Sequence, residues 1–220
     1  MTISPLPQMN PAELLQKVLD KALSAQAPLA EANVERLRRV HPAMTPQELL
    51  KSLDLTYLTA VTLSGCGAGA AGAVPGVAVG LTAALADFAA FTETTVLYVL
   101  SAAEVQGLDP EDVERRRALV LAVMIGDSAV GAVRATAGRT APHWAKQTVH
   151  AIPMDAINRL NKILGPRFIT KYGTKQGVLV LGKQLPIGLG VVIGGGGNYI
   201  IGCGIVASTR KILGDFEDAA

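Results

Sequence analysis

Apolar residues recur at helical spacing along most of the chain. Over residues 11–25 they lie three or four positions apart and would share one side of a helix. The same spacing predicts further helices over 28–40, 46–63, 76–105, 110–133, 142–164, 166–183 and 186–213. Alternation of apolar and polar residues never persists beyond a few positions, so no strand is predicted. The pattern therefore predicts an all-α protein, a compact bundle of seven or eight helices.

Capping signals mark where several of these helices begin. Thr45 and Glu48 have the spacing of a capping box, in which the threonine hydroxyl and the glutamate carboxylate accept hydrogen bonds from free amides. Asp109 stands before Pro110 as a capping residue before a first-turn proline. Pro28 and Pro166 are likewise placed at the starts of predicted helices. These prolines therefore divide the apolar pattern into separate helices.

Glycine is enriched and regularly spaced. The chain has 23 glycines in 220 residues, about half as many again as average usage near 7% would give. Glycines that recur every four residues line one face of a helix and allow another backbone to approach closely. We predict two tightly packed Gly- and Ala-rich helical hairpins, either inside a soluble bundle or dipping into a membrane. The predicted helix-packing glycines are Gly72, Gly76, Gly80, Gly190, Gly194 and Gly202.

Charged residues make up 17% of the chain and are unevenly distributed. Residues 55–86 and 184–209 carry no charge, and each run exceeds the ~20 residues that span a bilayer core. Both runs are weak as membrane spans, because they are rich in Gly and Ala and each contains a proline. Length alone therefore does not decide whether they enter a bilayer.

Residues 145–184 form a strongly cationic segment next to the second uncharged run. The segment contains seven basic residues and one acidic residue. Each Lys or Arg near an anionic leaflet contributes about 1 kcal/mol of binding. We therefore predict that the segment binds anionic headgroups or an acidic partner, with an ordinary solvated helix face as the alternative. The predicted binding residues are Lys162, Arg167, Lys171, Lys175 and Lys183.

Composition excludes several classes of protein. Half of the residues are hydrophobic, which excludes a disordered chain, and two cysteines in this length exclude a disulfide scaffold. A net charge of +2 excludes a strongly basic nucleic-acid-binding protein. Residues 1–10 contain two prolines and no basic residue, so no signal peptide is predicted and the expected location is the cytoplasm.

Two motifs suggest enzymes but lack the structural context that those enzymes need. Residues 67–72 match a dinucleotide-binding pattern, with Asp87 at the distance expected of a ribose ligand. Pro75 follows the motif at once, however, and no second strand is predicted. Residues 126–128 begin like a serine-esterase block but lie inside a predicted helix and lack a general base. No catalytic residue or cofactor is assigned.

The remaining polar side chains do not form a metal site. The three histidines share no metal-ligand spacing with one another or with the cysteines. Cys66 and Cys203 lie in different Gly-rich runs and could be neighbours if those runs packed together; the alternative is two inert buried thiols. Buried acids would need partners, for which Arg134 and Arg139 are available. The candidate polar site consists of Asp87, Asp127 and Asn198.

Four segments of the chain resemble the bacterial EcsC family. Leu185-Pro186-Ile187-Gly188, followed by residues 192–198 (Val-Ile-Gly-Gly-Gly-Gly-Asn), resembles the family's C-terminal Gly-rich helix with its leading proline and its asparagine. Residues 171–175 resemble the lysine-bearing segment that precedes it, residues 74–87 the small-residue helix, and residues 103–111 the Gly-Asp turn. The resemblance covers about residues 45–213. It leaves 1–44 as an N-terminal helical extension and 214–220 as an acidic tail.

The resemblance implies a non-enzymatic protein that acts at or near membranes, and it brings no agreed catalytic residues. With the cationic segment, it predicts a protein peripheral to the inner face of the cell membrane, whose Gly-rich hairpins pack closely or insert partly. One alternative is a soluble protein or enzyme that holds a small apolar ligand near Asp87 and Asp127. Another is a module that pairs with a second glycine-zipper helix, including its own copy in a homo-oligomer.

Overall fold

Six α-helices make up the described part of the chain. The computed structural model describes residues 12–70, 85–108, 110, 112–127, 129, 153–172 and 194–214 in full, and the helical backbone alone for 11, 71–72, 77–84, 173–182 and 187–193. The helices are α1 (Pro11–Val40), α2 (Pro46–Gly72), α3 (Val77–Val105), α4 (Val113–Ile125), α5 (Met154–Gly182) and α6 (Ile187–Leu213). No strand occurs among these residues, which confirms the all-α prediction. The predicted count of seven or eight helices stays a prediction, because residues 130–152 lie outside the described residues.

Two predicted helix starts are wrong. Helix α1 continues through Pro28 and helix α5 continues through Pro166. An internal proline removes one hydrogen bond and crowds the preceding turn. Both prolines are exposed, on the solvent side, where helices that curve around a core are convex. The buried stripe continues past each of them and keeps the helix in place. In α5 this stripe consists of Leu160, Leu164, Phe168 and Tyr172.

Other helix boundaries also differ from the predictions. Helix α2 continues beyond residue 63 through its Gly-rich end. Helix α4 does not run unbroken to residue 133, because Gly126 has a φ of 74° and ends the α-helical backbone. Asp112 is the N-cap residue of α4 and makes no side-chain capping hydrogen bond; the predicted capping residue Asp109 lies outside the described residues. The predicted starts of the first, third and last helices agree with the structure to within one residue.

The capping box at the start of α2 is confirmed. The Glu48 carboxylate accepts a hydrogen bond from the Thr45 amide at 2.8 Å, and the Glu48 amide donates to the Thr45 hydroxyl at 3.3 Å. The hydrogen bonds that the Thr45 amide and the Thr45 hydroxyl donate to this carboxylate lower the pKa of the Glu48 carboxyl. The stabilisation by the Glu48 carboxylate is therefore present above the ordinary carboxyl pKa and is lost as the pH falls through the lowered value.

Substitution Thr45→Ala should lower the free energy of unfolding by about 1 kcal/mol, because it removes the capping acceptor of α2. Urea unfolding followed by circular dichroism would measure this. Thr59→Ala is the matched control: Thr59 lies inside the same helix, and its hydroxyl donates only to the carbonyl of Leu55 at 2.8 Å. We expect Thr59→Ala to be neutral or slightly stabilising. Equal losses in the two variants would contradict a capping role for Thr45.

Helix α3 lies between α1 and α2, helix α6 runs along α2, and α4 packs on α5. Residues 118–125 of α4 are all buried, as expected of a helix enclosed on every side. Aromatic rings join α3 to α5, with Phe91 6.3 Å and Phe88 6.4 Å from the Tyr172 ring centre. The buried residues of α1 belong to the same hydrophobic core as those of the other helices. The predicted N-terminal extension therefore packs as part of the bundle from residue 15 onward.

Candidate functional site

Three basic residues lie on the solvent-exposed side of α5. Arg159, Lys162 and Arg167 are all exposed on this helix, and Ile163 is exposed among them. The described part of α5, residues 154–172, contains one acidic residue, Asp155. We call Arg159, Lys162 and Arg167 the basic face. Two of these three residues were predicted, and Arg159 was missed although its spacing of three from Lys162 places it on the same side of a helix.

Lys171 does not share this face. Its ammonium group donates to the carbonyl oxygens of Met124 at 2.6 Å and Ile125 at 2.8 Å, while the Tyr172 hydroxyl donates to Met124 at 2.9 Å. A cation at the carboxyl end of a helix is favoured by the helix dipole. Lys171, one of the predicted binding residues, therefore caps α4 instead of standing with the exposed basic residues. The side chain of Lys175 and residue Lys183 lie outside the described residues.

A groove of about 460 Å³ lies between the carboxyl end of α4 and helices α5 and α6. Lys171, Asp127 and Lys211 line it, together with Ser208. Asp127 and Lys211 form an ion pair at 2.5 Å, with side chains 83% and 64% exposed. The neighbouring ammonium group of Lys211 lowers the pKa of the Asp127 carboxyl.

The predicted polar site is divided between two places, because Asp87 lies at a different contact from Asp127. Asp87 is buried on α3, where its carboxylate accepts hydrogen bonds from the Ser64 hydroxyl at 2.8 Å and the Asn198 amide at 2.9 Å. The same side-chain amide of Asn198 also donates to the backbone carbonyl of Val61 at 3.1 Å. These bonds join α2, α3 and α6. Asp87 is not among the residues that line the groove beside Asp127.

Helices α2 and α6 run antiparallel with their backbones in close contact. A Cβ atom added at Gly65 or at Gly194 would lie closer than 3.0 Å to the carbonyl oxygen of the other glycine. Further along, a Cβ on Gly202 would lie 3.1 Å from the side chains of Leu58 and Val61. The predicted packing glycines Gly194 and Gly202 thus lie at this contact. Gly72, Gly80 and Gly190 are described only as helical backbone, and Gly76 lies outside the described residues.

The antiparallel register separates the two cysteines. Cys66 lies beside Gly195, whereas Gly202, the residue before Cys203, lies beside Tyr57. Nine residues of α2 separate these two levels, which is roughly 13 Å along the helix. Both thiols are free, and this separation exceeds the reach of a disulfide. The two Gly-rich runs pack together without bringing their cysteines into contact.

A second buried polar cluster was not predicted from the sequence. The Tyr98 hydroxyl donates to the Asp54 carboxylate at 2.5 Å, and the Arg210 guanidinium pairs with the other oxygen of that carboxylate. The Tyr57 and Tyr98 rings stack with centres 4.4 Å apart. Burial, and then the Asp54 charge, raise the pKa of the Tyr98 hydroxyl. Because the partners come from α2, α3 and α6, no local spacing in the sequence signals this cluster.

Helices α2 and α6 both expose large apolar residues. Leu55 and Leu63 are 70% and 65% exposed on α2, and Tyr199 and Ile200 are 48% and 72% exposed on α6. We call these four residues the apolar surface. Threonines on α2 add to it, because their hydroxyls donate back to carbonyls four residues earlier and leave their methyl groups outward. These are Thr56, Thr59 and Thr62.

Among the described residues, one stretch is long and apolar enough to cross a membrane, Leu85–Val105 in α3. This stretch is 67% buried inside the bundle. The core helix of a soluble protein is buried in the same way, so the stretch is weak evidence for a membrane span. No group of three metal-ligating side chains occurs in the described ranges; His143 and His150 lie outside them. No protein-family model matches the chain, and neither the curated proteins nor the solved structures include a match.

Proposed function

We propose that this chain is a non-enzymatic, membrane-associated helical protein of the EcsC type that binds the anionic inner surface of the cell membrane. The observation that carries the proposal is the basic face of α5, where Arg159, Lys162 and Arg167 are all exposed. A basic helix face of this kind is attracted to anionic headgroups, with about 1 kcal/mol for each Lys or Arg at the surface. Ile163, exposed among them, adds apolar area that a headgroup layer would cover.

The apolar surface of α2 and α6 supports partial insertion. Its side chains carry no charge, and tyrosine, represented here by Tyr199, is typical of the membrane interface. Because the two helices are antiparallel, Lys51 of α2 and Arg210 and Lys211 of α6 lie beyond the same end of this surface. An apolar band bordered by basic residues is the pattern of a helix pair lying in the headgroup region.

The resemblance to EcsC proteins supports the same proposal, since it implies action at or near a membrane without established catalytic residues. Residues 192–198, which carry much of that resemblance, include Gly194 and Asn198. Both residues contact α2 in the structure. In this proposal these residues of the Gly-rich helix α6 hold it against α2, so that the two helices present the apolar surface as one unit.

Flotation with liposomes tests the proposal. We expect the protein to float with liposomes that contain phosphatidylglycerol, and to float much less with neutral phosphatidylcholine liposomes or at high salt, because surface charges are screened. The triple variant Arg159→Gln, Lys162→Gln, Arg167→Gln should bind the anionic liposomes about a hundredfold more weakly. The matched control removes the same charge from exposed positions of α1 with Lys21→Gln, Arg36→Gln and Arg39→Gln.

The control triple variant should float like the natural protein. Equal losses in the two triple variants would assign binding to net charge and contradict a role for the basic face. Absence of flotation under every condition would contradict membrane association altogether. Flotation that survives high salt but is lost in Leu55→Ser, Ile200→Ser would support insertion of the apolar surface.

A further inference from the structure

The groove between α4, α5 and α6 combines a polar end with apolar walls. Its polar groups are the ammonium groups of Lys171 and Lys211, the Ser208 hydroxyl and the Asp127 carboxylate. Its walls include Val123, Ile125, Ile201 and Ile205. A volume of about 460 Å³ falls in the range of small-molecule sites. The combination suits a molecule with an anionic head and an aliphatic body.

The cation at the polar end is held in place by the protein. Two carbonyl oxygens at the end of α4 accept hydrogen bonds from the Lys171 ammonium group, which fixes its position without neutralising its charge. Gly126 lies beside it: a Cβ on Gly126 would be 3.1 Å from the Ser208 hydroxyl and 3.9 Å from the Lys171 nitrogen. The Ser208 hydroxyl and the Lys171 ammonium group therefore both lie close to Gly126. Because glycine has no side chain, the anionic head of a ligand can approach the backbone closely there.

The second cation is held less firmly. The ion pair between Lys211 and Asp127 is solvent-exposed on both sides, and such exposed pairs contribute little to stability. A ligand phosphate can therefore draw the Lys211 ammonium group away from Asp127 at small cost. Charge-assisted hydrogen bonds to phosphate are about twice as strong as neutral ones.

From these features we infer that the groove binds one anionic amphiphile, a phosphate group carried on an aliphatic chain. The phosphate would accept hydrogen bonds from Lys171, Ser208 and Lys211, and the chain would lie along Ile201 and Ile205. Gly204 and Ala207 also line the groove, and their small size leaves room for the chain. This inference goes beyond the proposed function, because neither the basic face nor the apolar surface takes part.

Gly204 provides a way to fill the groove without disturbing the fold. It is exposed, and no atom lies within 4 Å of a Cβ placed there. Substitution Gly204→Leu would put an isobutyl group into the space that the chain occupies. Gly196→Leu is the matched control, since Gly196 is also an exposed glycine of α6 with no atom near its Cβ, and it does not line the groove.

Calorimetric titration of the full-length protein with octyl phosphate tests the inference. We expect saturable binding with one site, and binding of inorganic phosphate or octan-1-ol that is weaker by at least about tenfold, because each lacks one half of the ligand. Gly204→Leu and Lys211→Gln should each weaken octyl phosphate binding about tenfold or more, and Gly196→Leu should leave it unchanged. Thermal unfolding of each variant establishes that it is folded.

Equal binding of octyl phosphate and octan-1-ol would overturn the inference, as would binding that Gly204→Leu and Lys211→Gln leave intact. Failure of octyl phosphate to bind, with flotation on anionic liposomes retained, would overturn this site and leave the proposed membrane function standing. Competition by liposomes that contain phosphatidic acid would identify the natural ligand as a bilayer lipid. Octyl phosphate binding that such liposomes do not reduce would identify a free phosphorylated amphiphile.

Discussion

Substitution Gly194→Ala should lower the free energy of unfolding by about 3 kcal/mol, the upper part of the range for overpacked sites. The added methyl group would overlap the carbonyl oxygen of Gly65, and it would also meet the backbone of Gly69 at 3.4 Å. Backbone atoms cannot move aside as a flexible side chain can, so α2 and α6 would have to separate. That separation would also lengthen the hydrogen bonds of Asn198 to Val61 and Asp87, which cross the same contact.

Thermal unfolding by circular dichroism would measure this effect as a fall of about 10 °C in the midpoint for a domain of this size. Gly196→Ala is the control on the same helix, where a Cβ meets nothing within 4 Å. Because alanine favours the helix over glycine by up to about 1 kcal/mol, this variant should be slightly more stable than the natural protein. A Gly194→Ala variant of unchanged stability would contradict the close backbone contact.

Substitution Asp54→Ala should also cost about 3 kcal/mol of stability, because it removes the acceptor of the buried Tyr98 hydroxyl and of the Arg210 guanidinium. Tyr98 is buried and would lose the hydrogen bond of its hydroxyl, and Arg210 would lose its ion pair. The Arg210 side chain is 43% exposed, so water would compensate part of that second loss. Urea unfolding at neutral pH would measure the change.

Two comparisons separate this effect from the simple loss of a carboxylate. Asp127→Ala removes an exposed acid that pairs with Lys211, the residue next to Arg210, and should leave the free energy of unfolding nearly unchanged. Tyr98→Phe removes the hydroxyl that Asp54→Ala leaves unpaired, so the double variant should be less destabilised than the sum of the two single variants. Strict additivity would contradict coupling between Asp54 and Tyr98.

The helical class and most helix positions could be predicted from the sequence, because helices depend on local spacing and capping residues. The capping box of Thr45 and Glu48 is an example, since its partners are three residues apart. The starts predicted at Pro28 and Pro166 were wrong for a tertiary reason. A proline tends to break a helix, but the buried residues on both sides of each proline continue one stripe and outweigh that tendency.

The candidate site could be predicted only in part. Lys162 and Arg167 were expected at a charged surface and are exposed, and Asp87 and Asn198 were both expected in a polar site, where the structure joins them. The position of Lys171 could not be predicted, because the carbonyls it caps belong to a helix 47 residues earlier in the chain. Asp54, Tyr98 and Arg210 were missed for the same reason, since they come from three different helices.

The pairing of α2 with α6 has a consequence for the order in which the protein folds during synthesis. Asn198 and its α2 partner Val61 are 137 residues apart in sequence. At roughly 5–20 residues per second, a ribosome leaves α2 without this partner for on the order of ten seconds. During that time the glycine face of α2 and the carboxylate of Asp87 lack the cover that α6 gives them. The close contact between α2 and α6 therefore forms only after most of the chain has been made.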